Sequence, residues 1–230
     1  MICDFISKIY KFIFDSGAGP ILCALLYAFL CLRCIFAPAM MTPQVKKIRQ
    51  TDLSAYDNTP FHPGGTAVKR ILWFYVNALF FKTSLLPSNK FKVFLLRAFG
   101  AKIGEGVTVK PGVNIKYAWH LNIGNNTWIG ENVWIDCLLP VSIGSNVCLS
   151  QGAILLTGNH NYKKVTFDLI VSGFRLEDGV WIGTGAIVNP GITAASHAVL
   201  TSGSVATADL GPYSVYQGNP AVKVRDRVIG

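Results

Sequence analysis

Acidic residues are scarce in this sequence. Its 230 residues include 12 aspartates and glutamates against 21 lysines and arginines, which gives a formal net charge of +9. The positive charges are dispersed, the longest basic run is Lys46-Lys47-Ile48-Arg49, and no nucleic-acid-binding motif is present. These features argue against a nucleic-acid-binding protein and favour an anionic small substrate or a membrane surface as the partner.

Cysteine and histidine are too few and too scattered for an ordinary metal site. The six cysteines lie at positions 3, 23, 31, 34, 137 and 148, with no paired spacing of metal ligands. Cys31-x-x-Cys34 lies in an apolar run, whereas a redox pair needs an exposed helix start that stabilises a thiolate. We therefore expect reduced thiols, no metal and a cytosolic working face.

Charge is also missing from residues 17 to 45, where Arg33 is the single charged residue. The sixteen uncharged residues from Gly17 to Leu32 are near the lower limit for a membrane span. Three interpretations of residues 1–45 remain open. They form a membrane-associated segment with Lys46, Lys47 and Arg49 on the cytoplasmic side, the first forty of them lie upstream of a true start at Met40 or Met41, or they contain a signal peptide.

Aliphatic residues recur at every sixth position from residue 103 onward, and each group of three starts twenty residues after the last. The positions are Ile103, Val109 and Ile115, then Ile123, Ile129 and Ile135, then Ile143, Leu149 and Leu155. The pattern resumes at Leu176, Ile182, Val188, Ala194 and Leu200. A hexad suits a short strand and a tight turn, so stacked hexads predict a mainly β protein, a parallel β-helix with an aliphatic interior.

Residues 46–100 precede the repeats and predict a polar connector followed by two helices. The helices would cover Val68 to Phe81 and Lys90 to Phe99, and the first is too apolar on all sides to stand free in water. They either cap the first turn of the coil or lie in a membrane interface, and both roles are compatible. The predicted organisation is thus an apolar segment at 1–45, a connector and helical cap at 46–100, and a β-helix domain at 101–230.

Two features of the β-helix point to function. Trp128, Trp134 and Trp181 each precede an inward aliphatic residue, so they should point outward, where a neighbouring subunit would cover them. The stretch from Asn161 to Arg175 interrupts the repeats directly after His160 and returns at Leu176. An excursion from a regular solenoid is usually a functional loop.

The sequence resembles the hexapeptide-repeat acyltransferases over about residues 50 to 230, and within them most closely the colanic-acid-type exopolysaccharide O-acetyltransferases. The resemblance rests on Ile-Gly hexads at positions 103, 123, 129, 143 and 182, on Leu156 to Tyr162, on Gly179 to Thr193, and on Gly218-Asn219-Pro220-Ala221. For the closer group it also rests on Asp52-Leu53-Ser54 and on Phe94 to Gly104.

The resemblance implies a left-handed β-helix and a homotrimer with acetyl-CoA, a co-substrate, bound along the coil between neighbouring subunits. It implies that Trp181, Thr184, Asn189 and Lys223 bind acetyl-CoA. The sequence departs from the family pattern at Ala194-Ala195 and at Thr201, in the coils that would line the acetyl-CoA channel.

Acetyl transfer to a hydroxyl needs a base, and a neutral histidine suits that role near pH 7. Among His62, His120, His160 and His197, we predict that His160 is the base, because it alone lies both at the start of the excursion and inside a family motif. Three polar residues near the predicted mouth of the site are candidates for binding the acceptor, namely Asn132, Asp136 and Asn159.

The leading interpretation is an O-acetyltransferase that acts on a sugar of an exopolysaccharide precursor, in the cytoplasm or on the inner face of the membrane. N-acetylation of an amino-sugar nucleotide remains open because the base and the fold would be shared. A metal-dependent hydratase on the same coil is disfavoured because no second histidine accompanies His160. A non-catalytic β-helix scaffold is disfavoured because no regular ladder of Thr or Asn is present.

Overall fold

The computed structural model describes residues 49–84 and 88–230. The predicted apolar segment at 1–45 lies outside the described residues, and its three interpretations concern only that segment. Within the described ranges, no helix has the length and apolar character needed to cross a membrane.

Two helices come first in the described chain. Helix α1 covers Ala67–Val76 and continues into a π-helical turn at Asn77–Phe81, and helix α2 covers Asn89–Ala98. Each begins at a hydroxyl N-cap, because the side chains of Thr66 and Ser88 accept hydrogen bonds from backbone amides of the first turn. Both helices agree with those predicted from the sequence.

The rest of the chain forms short strands separated by tight turns. The first two coils contain β1 (Lys102–Ile103), β2 (Thr108–Val109), β3 (Asn114–Ile115), β4 (Leu121–Ile123), β5 (Trp128–Ile129) and β6 (Trp134–Ile135). The third coil contains β7 (Val141–Ile143), β8 (Cys148–Leu149) and β9 (Ile154–Leu155), and the chain then leaves the coil through β10 (Gly158–His160) and β11 (Leu169–Val171).

The later coils resume the same order of strands. They contain β12 (Arg175–Leu176), β13 (Trp181–Ile182), β14 (Ile187–Val188), β15 (Thr193–Ala194), β16 (Val199–Leu200) and β17 (Val205–Ala206). Strands β18 (Ser214–Gly218) and β19 (Ala221–Asp226) form an antiparallel pair at the end of the coil. The last turn therefore departs from the hexad pattern.

Stacked strands form three sheets that enclose one aliphatic core. The first sheet has the order β1-β4-β7-β12-β15, the second β2-β5-β8-β13-β16-β18-β19, and the third β3-β6-β9-β14-β17. Within the coil the pairing is parallel and joins the columns read from the sequence, since Ile103 pairs with Ile123 and Ile123 with Ile143. The inward residues of these columns are buried, so the predicted parallel β-helix is confirmed.

The corners of the coil need a residue in the left-handed backbone region. Asn126, Asn132 and Asn146 have φ of 55°, 58° and 56° at such corners. Asparagine tolerates this conformation better than most residues other than glycine. The same type of corner is occupied by His197, whose φ is 61°.

The excursion from the coil begins earlier than the sequence pattern predicts. It is an antiparallel hairpin in which Gly158 pairs with Val171 and His160 with Leu169. The prediction placed its start after His160, because the aliphatic period gives no signal for a strand that leaves the core. Pairing β10 with β11 satisfies backbone groups that would otherwise be left without partners outside the coil.

The two helices close the first coil, as the cap interpretation predicts. Side chains from the helices bond to backbone groups on the free edges of β1, β2 and β3. Trp73 Nε1 donates to Ile115 O at 2.9 Å, Asn89 Nδ2 to Val107 O at 2.8 Å, and Arg97 Nη2 to Ile103 O at 2.8 Å. Each of the three strand edges therefore has a partner from the cap.

Candidate active site

His160 is the last residue of β10, and the imidazole is held in one tautomer. Its Nδ1 lies 2.9 Å from the carbonyl oxygen of Phe167. A carbonyl oxygen can only accept, so Nδ1 must donate the hydrogen and Nε2 of the neutral ring carries a lone pair. This is the arrangement that a general base requires.

Aromatic rings fix the plane of that imidazole. The Phe167 ring stacks on His160 with centroids 4.5 Å apart and planes 7° apart, and the Tyr56 ring lies 5.7 Å away at 57°. Phe167 itself has φ of 52°, a left-handed conformation that is unfavourable for a bulky side chain. Strain of this kind is concentrated at functional sites, and here it occurs at the residue whose carbonyl orients His160.

The hairpin loop is held by its own hydrogen bonds and by the connector. Asp168 accepts from Lys164 Nζ at 2.7 Å and also from the Thr166 hydroxyl. The hydrogen bond from Lys164 is the main reason that the pKa of Asp168 lies below its ordinary value. Asp52 N donates to Val165 O at 2.9 Å, so the start of the connector lies against the loop.

The other three histidines have structural contacts elsewhere. His62 Nδ1 accepts from Gly64 N at 3.2 Å, and the ring of His120 places Nε2 3.0 Å from Pro63 O. His197 stacks on Tyr213 with centroids 4.7 Å apart. Of the four histidines, only His160 lies on the hairpin.

Two of the three residues predicted to bind the acceptor lie at the strand that carries His160: Asn159 belongs to β10, and Asp136 contacts it. Asp136 is 5% exposed and accepts from Gly158 N at 3.3 Å. Its other oxygen lies 3.4 Å from Lys116 Nζ and accepts no hydrogen bond within the described residues. Because Asp136 is buried and bonded to the start of β10, its contacts in one chain position the hairpin.

Asn159 and Asn132 differ in their position relative to this edge. Asn159 is exposed, and its Oδ1 accepts from His160 N at 2.8 Å. Asn132 lies at the corner between β5 and β6, whereas the hairpin leaves the coil after β9. Within one chain, Asn132 is therefore on a different edge of the coil, and its role in acceptor binding stays a prediction.

The four predicted acetyl-CoA residues are distributed along the later coils. Trp181 Nε1 donates to Ser150 Oγ at 2.9 Å, and Thr184 Oγ1 lies 3.4 Å from Gln151 Oε1. Asn189 follows β14 and is half-buried. Lys223 pairs with Asp226 at 2.7 Å, and this hydrogen bond raises the pKa of the lysine. Trp181 and Thr184 thus contact adjacent residues of the preceding coil, whereas Lys223 lies on β19.

A cavity of about 380 Å³ opens beside Trp181. Its lining includes two arginines that the sequence prediction did not assign to the site. The cavity is lined by Arg225, Asp226 and Arg227 together with Val199 of β16 and Val215 of β18. The guanidinium of Arg227 donates to Gly179 O at 2.9 Å and to His197 O at 3.1 Å, so its position is fixed by the coil. The available signal in the sequence was the positive charge of these arginines two and four residues after Lys223, and only the fold shows that they line the cavity beside Trp181.

Metal ligation and catalysis by a cysteine nucleophile have little support in the described residues. Residues 49–84 and 88–230 contain no group of three or more His, Cys, Asp and Glu side chains that could hold a metal ion. Cys137 is buried, and burial raises the pKa of its thiol to about 12, so the sulfur stays protonated. It contacts Tyr117 O at 3.2 Å and has a packing role.

Comparison with known proteins extends this picture. No family model matches the chain. The colanic acid biosynthesis acetyltransferase WcaF of Escherichia coli is 35% identical over 177 residues, which cover 77% of this chain and 97% of that protein. Galactoside O-acetyltransferase of Escherichia coli is 30% identical over 135 residues, 57% of this chain and 66% of that protein.

Solved structures share the fold at lower identity. The hexapeptide-repeat acetyltransferase VCA0836 of Vibrio cholerae, in complex with acetyl-CoA, superposes with a TM-score of 0.64 at 23% identity, over 73% of this chain and 94% of that one. A galactoside acetyltransferase in complex with coenzyme A gives a TM-score of 0.62 at 24% identity, over 69% of this chain and 80% of that one.

Proposed function

Because this chain belongs to the hexapeptide-repeat acetyltransferases and is an acetyl-CoA-dependent enzyme, we propose that it acetylates a hydroxyl of a sugar in exopolysaccharide biosynthesis, with His160 as the general base. The observation that carries the proposal is the hydrogen bond from His160 Nδ1 to Phe167 O. It leaves Nε2 as an acceptor on the solvent-accessible hairpin. The names of the two Escherichia coli relatives support a saccharide acceptor.

The proposed reaction needs no covalent enzyme intermediate. Nε2 of His160 takes the proton of the acceptor hydroxyl as its oxygen attacks the thioester carbonyl of acetyl-CoA. The carbon–sulfur bond then breaks, and the proton on Nε2 passes to the departing thiolate, which leaves as CoA. The fixed Nδ1 hydrogen stabilises the imidazolium that exists between the two proton transfers.

A second part of the proposal is a homotrimer that completes the site. Trp181 and its cavity lie on the face formed by the second sheet, whereas His160 lies at the edge that follows the third sheet. These groups face different directions in one chain, so a neighbouring chain has to bring an acetyl-CoA surface to His160. The exposed Trp128, Trp134 and Trp181, at 62%, 39% and 45%, support a covering subunit.

We further propose a cytoplasmic working face, because acetyl-CoA is the donor and the thiols are expected to be reduced.

The proposal is tested with the full-length chain and a panel of free sugars, nucleotide sugars, lipid-linked saccharides and matching amino sugars. We expect CoA release with at least one hydroxyl acceptor and a product whose acetyl group is removed by mild alkali, as an ester is. Acetylation of the amino sugars alone, with an alkali-stable amide product, would show an N-acetyltransferase instead. No CoA release with any acceptor would contradict the enzymatic proposal.

A further inference from the structure

Helix α1 and the π-helical turn after it carry an apolar face that points away from the coil. This outer helix face consists of Val68, Ile71, Leu72, Tyr75 and Leu79, which are between 53% and 66% exposed. Their spacing of three or four residues places them along one side of the helix. Trp73 and Asn77, on the other side, are buried against the first coil. The side of the helix that faces water is therefore apolar.

Neighbouring aromatic rings enlarge this apolar surface. Phe74 is 66% exposed, and Phe94 of α2 is 61% exposed. Phe91 is 38% exposed and stacks on Phe94 with centroids 6.2 Å apart. Phe91 also contacts Phe80, the neighbour of Leu79, with ring centroids 5.6 Å apart. Large exposed apolar patches mark surfaces that bind a partner.

All charged residues in this region of the chain are basic. Residues 58–104 contain seven lysines and arginines and no aspartate or glutamate. Lys82 and Lys90 are exposed in the structure. Lys82 also lines a groove of about 630 Å³ together with Tyr75 of the outer helix face, on the side of α1 where Trp134 of the coil lies. The cap thus combines exposed apolar rings with cations at their border.

This charge distinguishes among the surfaces that could cover the outer helix face. Residues 1–49 of the chain contain six basic and two acidic residues, so they would bring positive charge to a positive surface. A second copy would present the same cations. An anionic lipid surface complements both features, because apolar and aromatic side chains enter the interface while lysine and arginine contact the headgroups.

We propose that the outer helix face docks on the surface of an anionic lipid bilayer. The cap is then a membrane-binding element in addition to the closure of the first coil. This binding site lies in the described cap and does not depend on residues 1–45.

Photocrosslinking from the face itself tests the proposal in the full-length chain. Tyr75→p-benzoylphenylalanine places a crosslinker on the outer helix face, and Tyr162→p-benzoylphenylalanine, at a tyrosine 74% exposed on the hairpin loop, is the matched control. With phosphatidylglycerol vesicles we expect about tenfold more lipid adducts from position 75 than from position 162. Equal yields, or adducts from position 75 mainly to residues 1–49 or to a second chain, would overturn the proposal.

A charge variant tests the choice of anionic lipid. Lys82→Glu combined with Lys90→Glu changes two exposed side chains at the border of the face, and each cation near such a surface contributes to binding. We expect the lipid adducts from position 75 to fall about tenfold. An unchanged yield, or equal yields with phosphatidylcholine and phosphatidylglycerol vesicles, would show that the headgroup charge is not recognised.

Discussion

At the scale of single residues, Lys92 is unusual because its side chain is fully buried between α2 and the first coil. Its Nζ lies 3.5 Å from Val109 O, and no acidic side chain pairs with it within the described residues. Burial without a counter-ion disfavours the charged form, so the pKa of Lys92 lies below its ordinary value.

This burial predicts a stability effect that depends on pH. The unfolded chain binds more protons than the folded chain at pH values between the lowered pKa and the ordinary value of about 10.4, so stability rises with pH in that window. Below the lowered pKa the full cost of the buried charge is present. Lys92→Met should therefore raise the free energy of unfolding by about 1 kcal/mol at pH 7, and the gain should shrink towards pH 10.

Denaturant unfolding at several pH values measures this difference. Lys90→Met, on the exposed side of the same helix, is the control and should change stability little. A Lys92→Met protein that is less stable than the Lys90→Met protein at pH 7 would show that the amine contributes more than its desolvation costs.

Residue types and motif position led to His160 as the proposed base, but they gave no indication of its surroundings. His160 follows from the end of the third repeat and the family motif. Phe167 could not be predicted, because it acts through a backbone carbonyl and the strained φ that aims it, which sequence spacing does not show. The predicted acceptor residue Asp136 is polar and adjacent, but its burial is a property of the coil packing.

At the scale of elements, the hairpin of β10 and β11 depends on an anchor one coil below it. Asp136 accepts from Gly158 N and is shielded from water, so its loss leaves this backbone donor of β10 unsatisfied. We expect Asp136→Ala to lower the free energy of unfolding by about 1–3 kcal/mol. Turnover should also fall, because β10 carries His160.

Asp178→Ala is the matched control for this anchor. Asp178 also accepts from a backbone amide, that of Ser145 at 2.7 Å, but it is exposed, so water can replace it. Thermal unfolding and steady-state kinetics of the two variants provide the comparison. Equal losses of stability and turnover in both variants would argue against a specific role of Asp136 under the hairpin.

The six-residue period of the sequence predicted the strands of the coil but not the contacts that close its ends. A six-residue aliphatic repeat specifies which side chains point inward, and the paired columns follow from it. The hydrogen bonds that end the coil come from helix side chains such as Trp73 and Asn89. These contacts join residues far apart in sequence and leave no periodic signal.

At the scale of the whole molecule, the proposed trimer explains why large aromatic side chains face outward on the second and third sheets. Trp128→Glu places a charge on a residue that is 62% exposed in one chain. Burying that charge under a neighbouring subunit would be costly, so the variant should dissociate to monomers and lose turnover.

Light scattering in mild detergent measures the mass of both proteins. Val68→Glu, at a residue 66% exposed on the outer helix face, is the control and should keep the trimer. A wild-type mass equal to one chain at working concentration would contradict the trimer, and so would a Trp128→Glu protein that remains trimeric and fully active.

The proposed function is tested most directly by the rate of acetyl transfer of His160→Ala. We expect kcat to fall by roughly 10² to 10⁴, because the base is gone. The KM for acetyl-CoA should change little, since His160 lies on the hairpin and away from the Trp181 cavity. His120→Gln, which keeps a donor near Pro63 O, should retain most activity. Near-normal turnover by His160→Ala would contradict the assignment of the base.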